Sequence, residues 1–236
     1  NLASLYIILS MHFRLILFLL FFASSVASAQ TFDEFILEIK NIASKQGVSS
    51  ETLDTALDDV VIRVSAYKDD ADQVIVRQLF WDYMNSRVDP YRLNNGYEYL
   101  NKHRALLSKN YEQYGIPPHI IVALIGLETN YGTYVGNYNL IESLVTLAYN
   151  NRRSNFFKSE LIALLKLIDN GNIHFSHQGS WDGGIGHIQF MPSNILAYAV
   201  DADNNGKIDL WNSNEDIFAT ANNFLKHLGW KTGEKW

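Results

Sequence analysis

The chain has 236 residues, 47% hydrophobic and 19% charged, with 19 Lys+Arg against 25 Asp+Glu and a net charge of −6. That composition is globular and excludes a disordered chain, and the mild acidity argues against a nucleic-acid binder, which carries a basic stripe. Cysteine is absent, which excludes disulfides, thiolate metal sites, thiol catalysis and Cys-linked lipid anchors.

The first element is an address. The sequence opens on Asn1, and Met11 is the better start. Arg14 supplies a positive region, 15–22 is an apolar run, and Ala27-Ser28-Ala29 is a small-residue cleavage site. This is the pattern of a secretory signal peptide over 1–29, with a mature start near Gln30. The competing reading is a membrane anchor, but the run is short against the roughly 20 apolar residues a span needs. Export implies a periplasmic or extracellular protein.

The remainder reads as mostly helical. Apolar residues at 32, 35, 36, 39, 42 and 43 follow a helical period. Ser49-Ser50-Glu51-Thr52 opens a second helix with Leu53, Ala56 and Leu57 on one face. Residues 60–95 are the least regular part and read as a loop crossing the domain face. The spacing then predicts one long amphipathic helix over 94–114, ending at Gly115. Pro117-Pro118 restarts a helix, since proline is tolerated in a first turn. Residues 119–127 are apolar nearly all round, which predicts burial. Further helices are expected over 156–168, stopped by Asn170-Gly171, and over 193–200 and 217–228.

Three features carry chemistry. The first is Glu128, at the end of the apolar helix in ALIGLETNYG, with Gly132 expected to end the helix. Burial and the negative end of the helix dipole both push a carboxyl pKa up. A carboxylic acid kept protonated near neutrality suits general-acid work. The bland reading is a buried Glu held by a structural partner. The nearest acids in sequence are Glu112 and Glu142, so no adjacent carboxylate offers itself as a second catalytic group. If Glu128 is catalytic, substrate assistance becomes an alternative to the paired-carboxylate scheme.

The second is the glycine-rich stretch from Gly179 through Ser180, Gly183, Gly184, Gly186 and Gln189 to Ser193. It lacks the Lys-Ser/Thr end of a phosphate loop. Gln189 offers the donor and acceptor that sugar hydroxyls and amides require. A tight packing turn is the competing reading. The third is Asp201-Ala202-Asp203-Asn204-Asn205-Gly206-Lys207-Ile208-Asp209. Its oxygen ligands at positions 1, 3 and 5 with Gly at 6 match the start of a calcium loop. Asn212 stands where a bidentate Glu is expected, and Glu215 and Asp216 follow shortly and could close an enlarged loop. A solvated acidic turn is the alternative.

Together these stretches resemble the lytic murein transglycosylase B family. The matching segments are IIVALIGLETNYG (120–132), LVTLAYNNRR (144–153), GSWDGGIGHIQFMPSN (179–194), VDADNNGKIDLWN (200–212) and ANNFLKHLGW (221–230). The resemblance implies a mainly α, lysozyme-like catalytic domain over 30–236, with a helical N-terminal region and an EF-hand-like loop. It implies cleavage of the β-1,4 bond between N-acetylmuramic acid and N-acetylglucosamine without water, leaving a 1,6-anhydromuramic end. Glu128 would be the single acid and base. Ser180, Gln189, Arg153 (favoured over Arg152) and Tyr131 would bind substrate. Asp201, Asp203, Asn205, the Lys207 carbonyl and Glu215 fall on ligand positions for a structural calcium, and no cofactor is implied for catalysis. Peptidoglycan strands are the implied partner, with other cell-wall enzymes as further candidates. No nucleic acid and no stable membrane anchor are expected, so the protein would be soluble and periplasmic. Family members continue past the GW motif with another helical segment, so the domain is expected to be truncated at Trp236. The alternatives are a hydrolytic muramidase, an inactive murein-binding protein and, more remotely, a calcium sensor.

Overall fold

The computed structural model describes residues 30–63, 79–150 and 152–234. The expected signal peptide and cleavage site lie outside the described residues. The chain divides into two compact units, 1–34 and 35–236. In the first, Thr31 and Glu34 form a reciprocal cap: Thr31 N–H donates to Glu34 Oε2 at 2.8 Å, and Glu34 N–H donates to Thr31 Oγ1 at 3.3 Å.

Helices dominate the described residues. In chain order they are α1 (Phe32–Lys45), α2 (Ser50–Leu57), α3 (Phe80–Arg87), α4 (Pro90–Lys102), α5 (Arg104–Tyr114) and α6 (Pro118–Thr129). After the short strand β1 (Tyr138–Asn139) come α7 (Leu140–Asn150) and α8 (Ser154–Asp169). Strand β2 (Gln178–Gly179), α9 (Pro192–Tyr198) and α10 (Asn214–His227) complete the order. The two strands pair antiparallel, Tyr138 opposite Gly179.

Two packing centres hold unit 35–236. The first is α8, packed on α7, α9 and α2. Its Phe157, Leu161, Leu164, Leu165 and Leu167 are almost wholly removed from water, as are Leu144, Val145 and Leu147 of α7. Each such side chain contributes about 1.5–3 kcal/mol relative to exposure, before the entropy of ordering. Glu160 is buried in this centre, yet both oxygens are used: Ser193 N–H donates at 2.9 Å and Ser193 Oγ at 2.7 Å. That pairing offsets the cost of a buried carboxylate and ties α8 to α9. The second centre is α6, packed on α4, α5 and α10.

Three expectations are corrected here. The single helix over 94–114 is two helices, broken at His103 (φ −105°, ψ 15°). The His103 ring sits 4.5 Å from Tyr99 and 5.5 Å from Phe218, so tertiary packing makes a break that neither Gly nor Pro marks. The loop expected over 60–95 contains α3 and the start of α4, and its middle, 64–78, lies outside the described residues. Helix α6 is not buried all round. Ile121, Val122 and Ile125 are inside, but Ala123, Leu127 and Glu128 are exposed.

Candidate functional site

Glu128 is the penultimate residue of α6. The helix stops at Thr129, three residues before the Gly132 stop expected from sequence, because Asn130 (φ 48°) and Tyr131 (φ 60°) already enter the left-handed region. Asn tolerates that region, but Tyr does so only under constraint. The constraint on Tyr131 is visible. Its hydroxyl donates to the Arg92 carbonyl at 2.9 Å, and its ring packs 5.5 Å from Tyr99. Strain held this way is common beside functional groups.

Thr129 then fastens the helix end to the glycine-rich segment. Its Oγ1 lies 2.9 Å from the His187 carbonyl and 3.2 Å from the Ile125 carbonyl, and it accepts the Gly132 N–H at 3.0 Å. At Gly132 (φ +82°) a Cβ would lie 2.3 Å from the His187 ring, so only glycine lets these two segments meet. Burial pulls the His187 imidazole below its ordinary pKa. Its Nδ1 is buried with no hydrogen-bond partner among the described residues.

The Glu128 carboxylate faces solvent and has no hydrogen-bond partner among the described residues. Partial desolvation by the surrounding walls pushes its pKa up, and the charge of Asp182 pushes it further. The direction agrees with the sequence argument, though the side chain is less enclosed than expected. Asp182 is the second finding: folding brings a carboxylate that is 54 positions away in sequence close enough to act on Glu128.

Ser180 and Gln189 converge within the same segment. Ser180 Oγ donates to Asp182 Oδ1 at 2.5 Å and accepts the Gly184 N–H at 2.7 Å. A Cβ on Gly184 would lie 2.6 Å from Ser180 Oγ and 2.9 Å from Gln189 Oε1, so that glycine lets both side chains approach. Gln189 holds a left-handed φ of 49°. Its Nε2 donates to the Val135 carbonyl at 3.2 Å and the Gly186 carbonyl at 2.9 Å, leaving Oε1 as its free polar atom. Arg153 sits at the N-cap of α8, exposed, with its guanidinium 4.9 Å from the Phe157 ring centroid.

The acidic loop lies between α9 and α10. Carboxylate oxygens of Asp201, Asp203 and Asp216 come within 4.8 Å of one another. Asn205 joins them through its side chain, donating from Nδ2 to Asp203 Oδ2 at 2.9 Å and accepting the Lys207 N–H at 2.9 Å. The third converging carboxylate is that of Asp216, the chain neighbour of the expected ligand Glu215. Glu215 is exposed on the α10 first turn and lines a groove that Asp201, Ala202 and Asn204 of the loop also line. Asp216 is buried beneath the loop, accepting the Ala202 N–H at 2.8 Å and the Asp209 N–H at 2.9 Å. Burial pushes its pKa up, the two backbone donors oppose this, and Asp203 and Asp201 add to the rise. An all-oxygen set of three converging carboxylates fits a hard cation such as calcium.

A family model described as the transglycosylase SLT domain matches residues 31–236. The chain belongs to the transglycosylase SLT domain family. It is 36% identical over 155 residues to the membrane-bound lytic murein transglycosylase B of Escherichia coli (strain K12), covering 65% of this chain and 43% of that relative. It is similar to SltB3 from Pseudomonas aeruginosa, solved in complex with NAG-NAM-pentapeptide, at TM-score 0.83 and 35% identity, covering 88% of this chain and 56% of that one. The Escherichia coli lytic transglycosylase Slt35 in complex with calcium matches at TM-score 0.75 and 30% identity, covering 89% of this chain and 67% of that one. The chain thus spans about half the length of the first two relatives. The mainly α fold expected from sequence is the fold of these SLT structures. No described helix is long and apolar enough to cross a membrane.

Proposed function

We propose that this SLT-family chain is a peptidoglycan lytic transglycosylase with Glu128 as its single acid and base. The observation that carries the reading is the environment of Glu128. A solvent-reachable carboxyl is held toward its protonated form by desolvation and by Asp182, at a helix end tethered to the glycine-rich segment. The relatives named as lytic murein transglycosylases support the substrate class.

Glu128 first gives its proton to the glycosidic oxygen as the C1–O bond breaks. The acetamido oxygen of the same muramic sugar bonds to C1 and takes up the positive charge. Glu128, now a carboxylate, removes the C6 hydroxyl proton, and O6 replaces the acetamido oxygen at C1. The proton count returns to its start and no water is consumed. Ser180 and Gln189 are the proposed contacts to the sugar, through one Ser180 lone pair and Gln189 Oε1. Tyr131 serves chiefly by holding the strained turn after Glu128, since its hydroxyl is engaged with the Arg92 carbonyl. Arg153 is proposed to meet substrate at the exposed start of α8. Calcium at Asp201, Asp203, Asn205 and Asp216 would brace the loop between α9 and α10 and take no part in bond cleavage. The sequence pattern at 1–29 supports export to the periplasm.

Asp182 favours one second reading, a hydrolytic muramidase in which that carboxylate activates water. Glu128→Gln tests the main reading. Cleavage of purified sacculi should fall by about 10²–10⁴-fold or more. Sacculus binding and melting temperature should stay near wild type. Substantial cleavage by this variant would remove Glu128 from the mechanism.

A further inference from the structure

A serine hydroxyl has one proton to donate and two lone pairs to accept with. At Ser180 the proton goes to Asp182 Oδ1 at 2.5 Å; the Gly184 carbonyl, at 3.4 Å, is the weaker acceptor. One lone pair takes the Gly184 N–H at 2.7 Å. The neighbouring backbone closes around this arrangement: Ser180 N–H donates to the Gly184 carbonyl at 2.9 Å, and Gly183 N–H donates to the Ser180 carbonyl at 3.1 Å. The hydroxyl can therefore present a single remaining group, a lone pair. It can receive a donor and has no proton left to give.

We propose that Asp182 is a positioning residue that fixes the Ser180 hydroxyl as an acceptor for the acetamido N–H of a bound N-acetyl sugar. The inference rests on the proposed transglycosylase reading, which puts an N-acetyl sugar beside Glu128. When the acetamido oxygen bonds to C1, positive charge spreads onto the amide nitrogen and its N–H becomes a stronger donor. An acceptor whose own proton is held by a carboxylate strengthens in step, because hydrogen bonds in series polarise one another. The same carboxylate holds a negative charge near the developing cation. Asp182 is also the charged group among the described residues whose field reaches Glu128, and that effect favours the protonated acid. One side chain thus prepares both partners of the first step.

The test is a double-mutant cycle between Ser180→Ala and Asp182→Asn on the full chain, read in two ways. The first readout needs no turnover: binding of an N-acetylglucosamine tetramer to each variant made in the Glu128→Gln background, with the de-N-acetylated tetramer as control. Each single change should weaken the acetylated tetramer by about three- to tenfold, the worth of one neutral hydrogen bond. The double change should be no worse than Ser180→Ala alone, and preference for the acetylated ligand should shrink. The second readout is kinetic, with Glu128 intact. Asp182→Asn should lower kcat by about tenfold to a hundredfold, the worth of a hydrogen bond to a charged group, and move KM far less. The alkaline limb of the pH profile should move to lower pH as Glu128 loses its neighbour's charge. Asp182→Glu should recover part of the rate. Asp182→Asn that binds and turns over as wild type would overturn the proposal. So would effects of Ser180→Ala and Asp182→Asn that simply add. Absence of anhydro product from wild type would defeat the transglycosylase reading instead, and the binding cycle would still decide the role of Asp182.

Discussion

Replacing Asp216 by Asn separates the cation reading of the acidic loop from a purely structural one. Asp216 is fully buried, its two oxygens hold the backbone of Ala202 and Asp209, and Asp201 and Asp203 crowd it. In the wild type a cation at 100 times its dissociation constant stabilises by about 2.7 kcal/mol. At about 2–4 °C per kcal/mol for a domain of this size, melting should rise by about 5–10 °C with calcium. Asn keeps one acceptor oxygen but turns an NH2 toward one of the two backbone donors. An unsatisfied buried donor costs about 1–3 kcal/mol, partly offset by removing one of three like charges. The calcium-free variant should therefore melt slightly below the calcium-free wild type, and calcium should add almost nothing. Calorimetric melts with calcium, with magnesium and with chelator give the comparison, and Glu215→Gln should keep the full calcium shift. The sign of the pH effect follows from the raised folded pKa of Asp216. Its stabilising protonation is present below the ordinary carboxylate range and is lost as pH rises through the folded value. Metal-free melts should fall across that window, and saturating calcium should reduce the fall. An undiminished calcium shift in Asp216→Asn, or its loss in Glu215→Gln, would refute the ligand assignment.

Other outcomes are equally specific. Because Glu128 must enter the reaction protonated, cleavage rate should fall as pH rises through a value above the ordinary Glu range, a midpoint readable from initial rates across pH. A midpoint at or below that range would contradict the environment described for this carboxyl. Gly132→Ala should cost about 1–3 kcal/mol in urea unfolding, because the left-handed φ and the His187 ring both oppose a Cβ. An unchanged unfolding midpoint would mean that the segments joined at Thr129 are not packed as described.

Most of the helical framework is legible in the sequence. The period of Phe35, Ile36 and Ile39, the Gly115 stop and the Asn170-Gly171 stop each reflect a local cause, and each recurs in the structure. The break at His103 and the early end of α6 are not legible. Both are imposed by groups on distant elements, the Phe218 ring in one case and the Arg92 backbone carbonyl in the other. Helix α7 is likewise not legible in the sequence pattern. Its apolar residues Leu140, Ile141, Leu144, Val145, Leu147 and Ala148 are buried almost all round, and β-branched Val145 and Thr146 weaken the local preference. Within the site, Glu128 and Gln189 stand out by residue type and position, and Ser180 enters through the family resemblance. Asp182 carried no signal until folding set it beside Glu128, although its place two residues after Ser180 is the spacing of a side-chain hydrogen bond. Loop counting cannot tell which of the adjacent acids Glu215 and Asp216 turns inward; in the structure Asp216 is the buried one.

Mass spectrometry of murein sacculi digested by the purified protein in heavy-oxygen water tests the central assignment most directly. The account predicts muropeptides ending in 1,6-anhydromuramic acid, with no heavy oxygen in the new ends and with Glu128→Gln releasing almost none. Reducing ends that carry heavy oxygen would contradict it and would point to a hydrolytic enzyme.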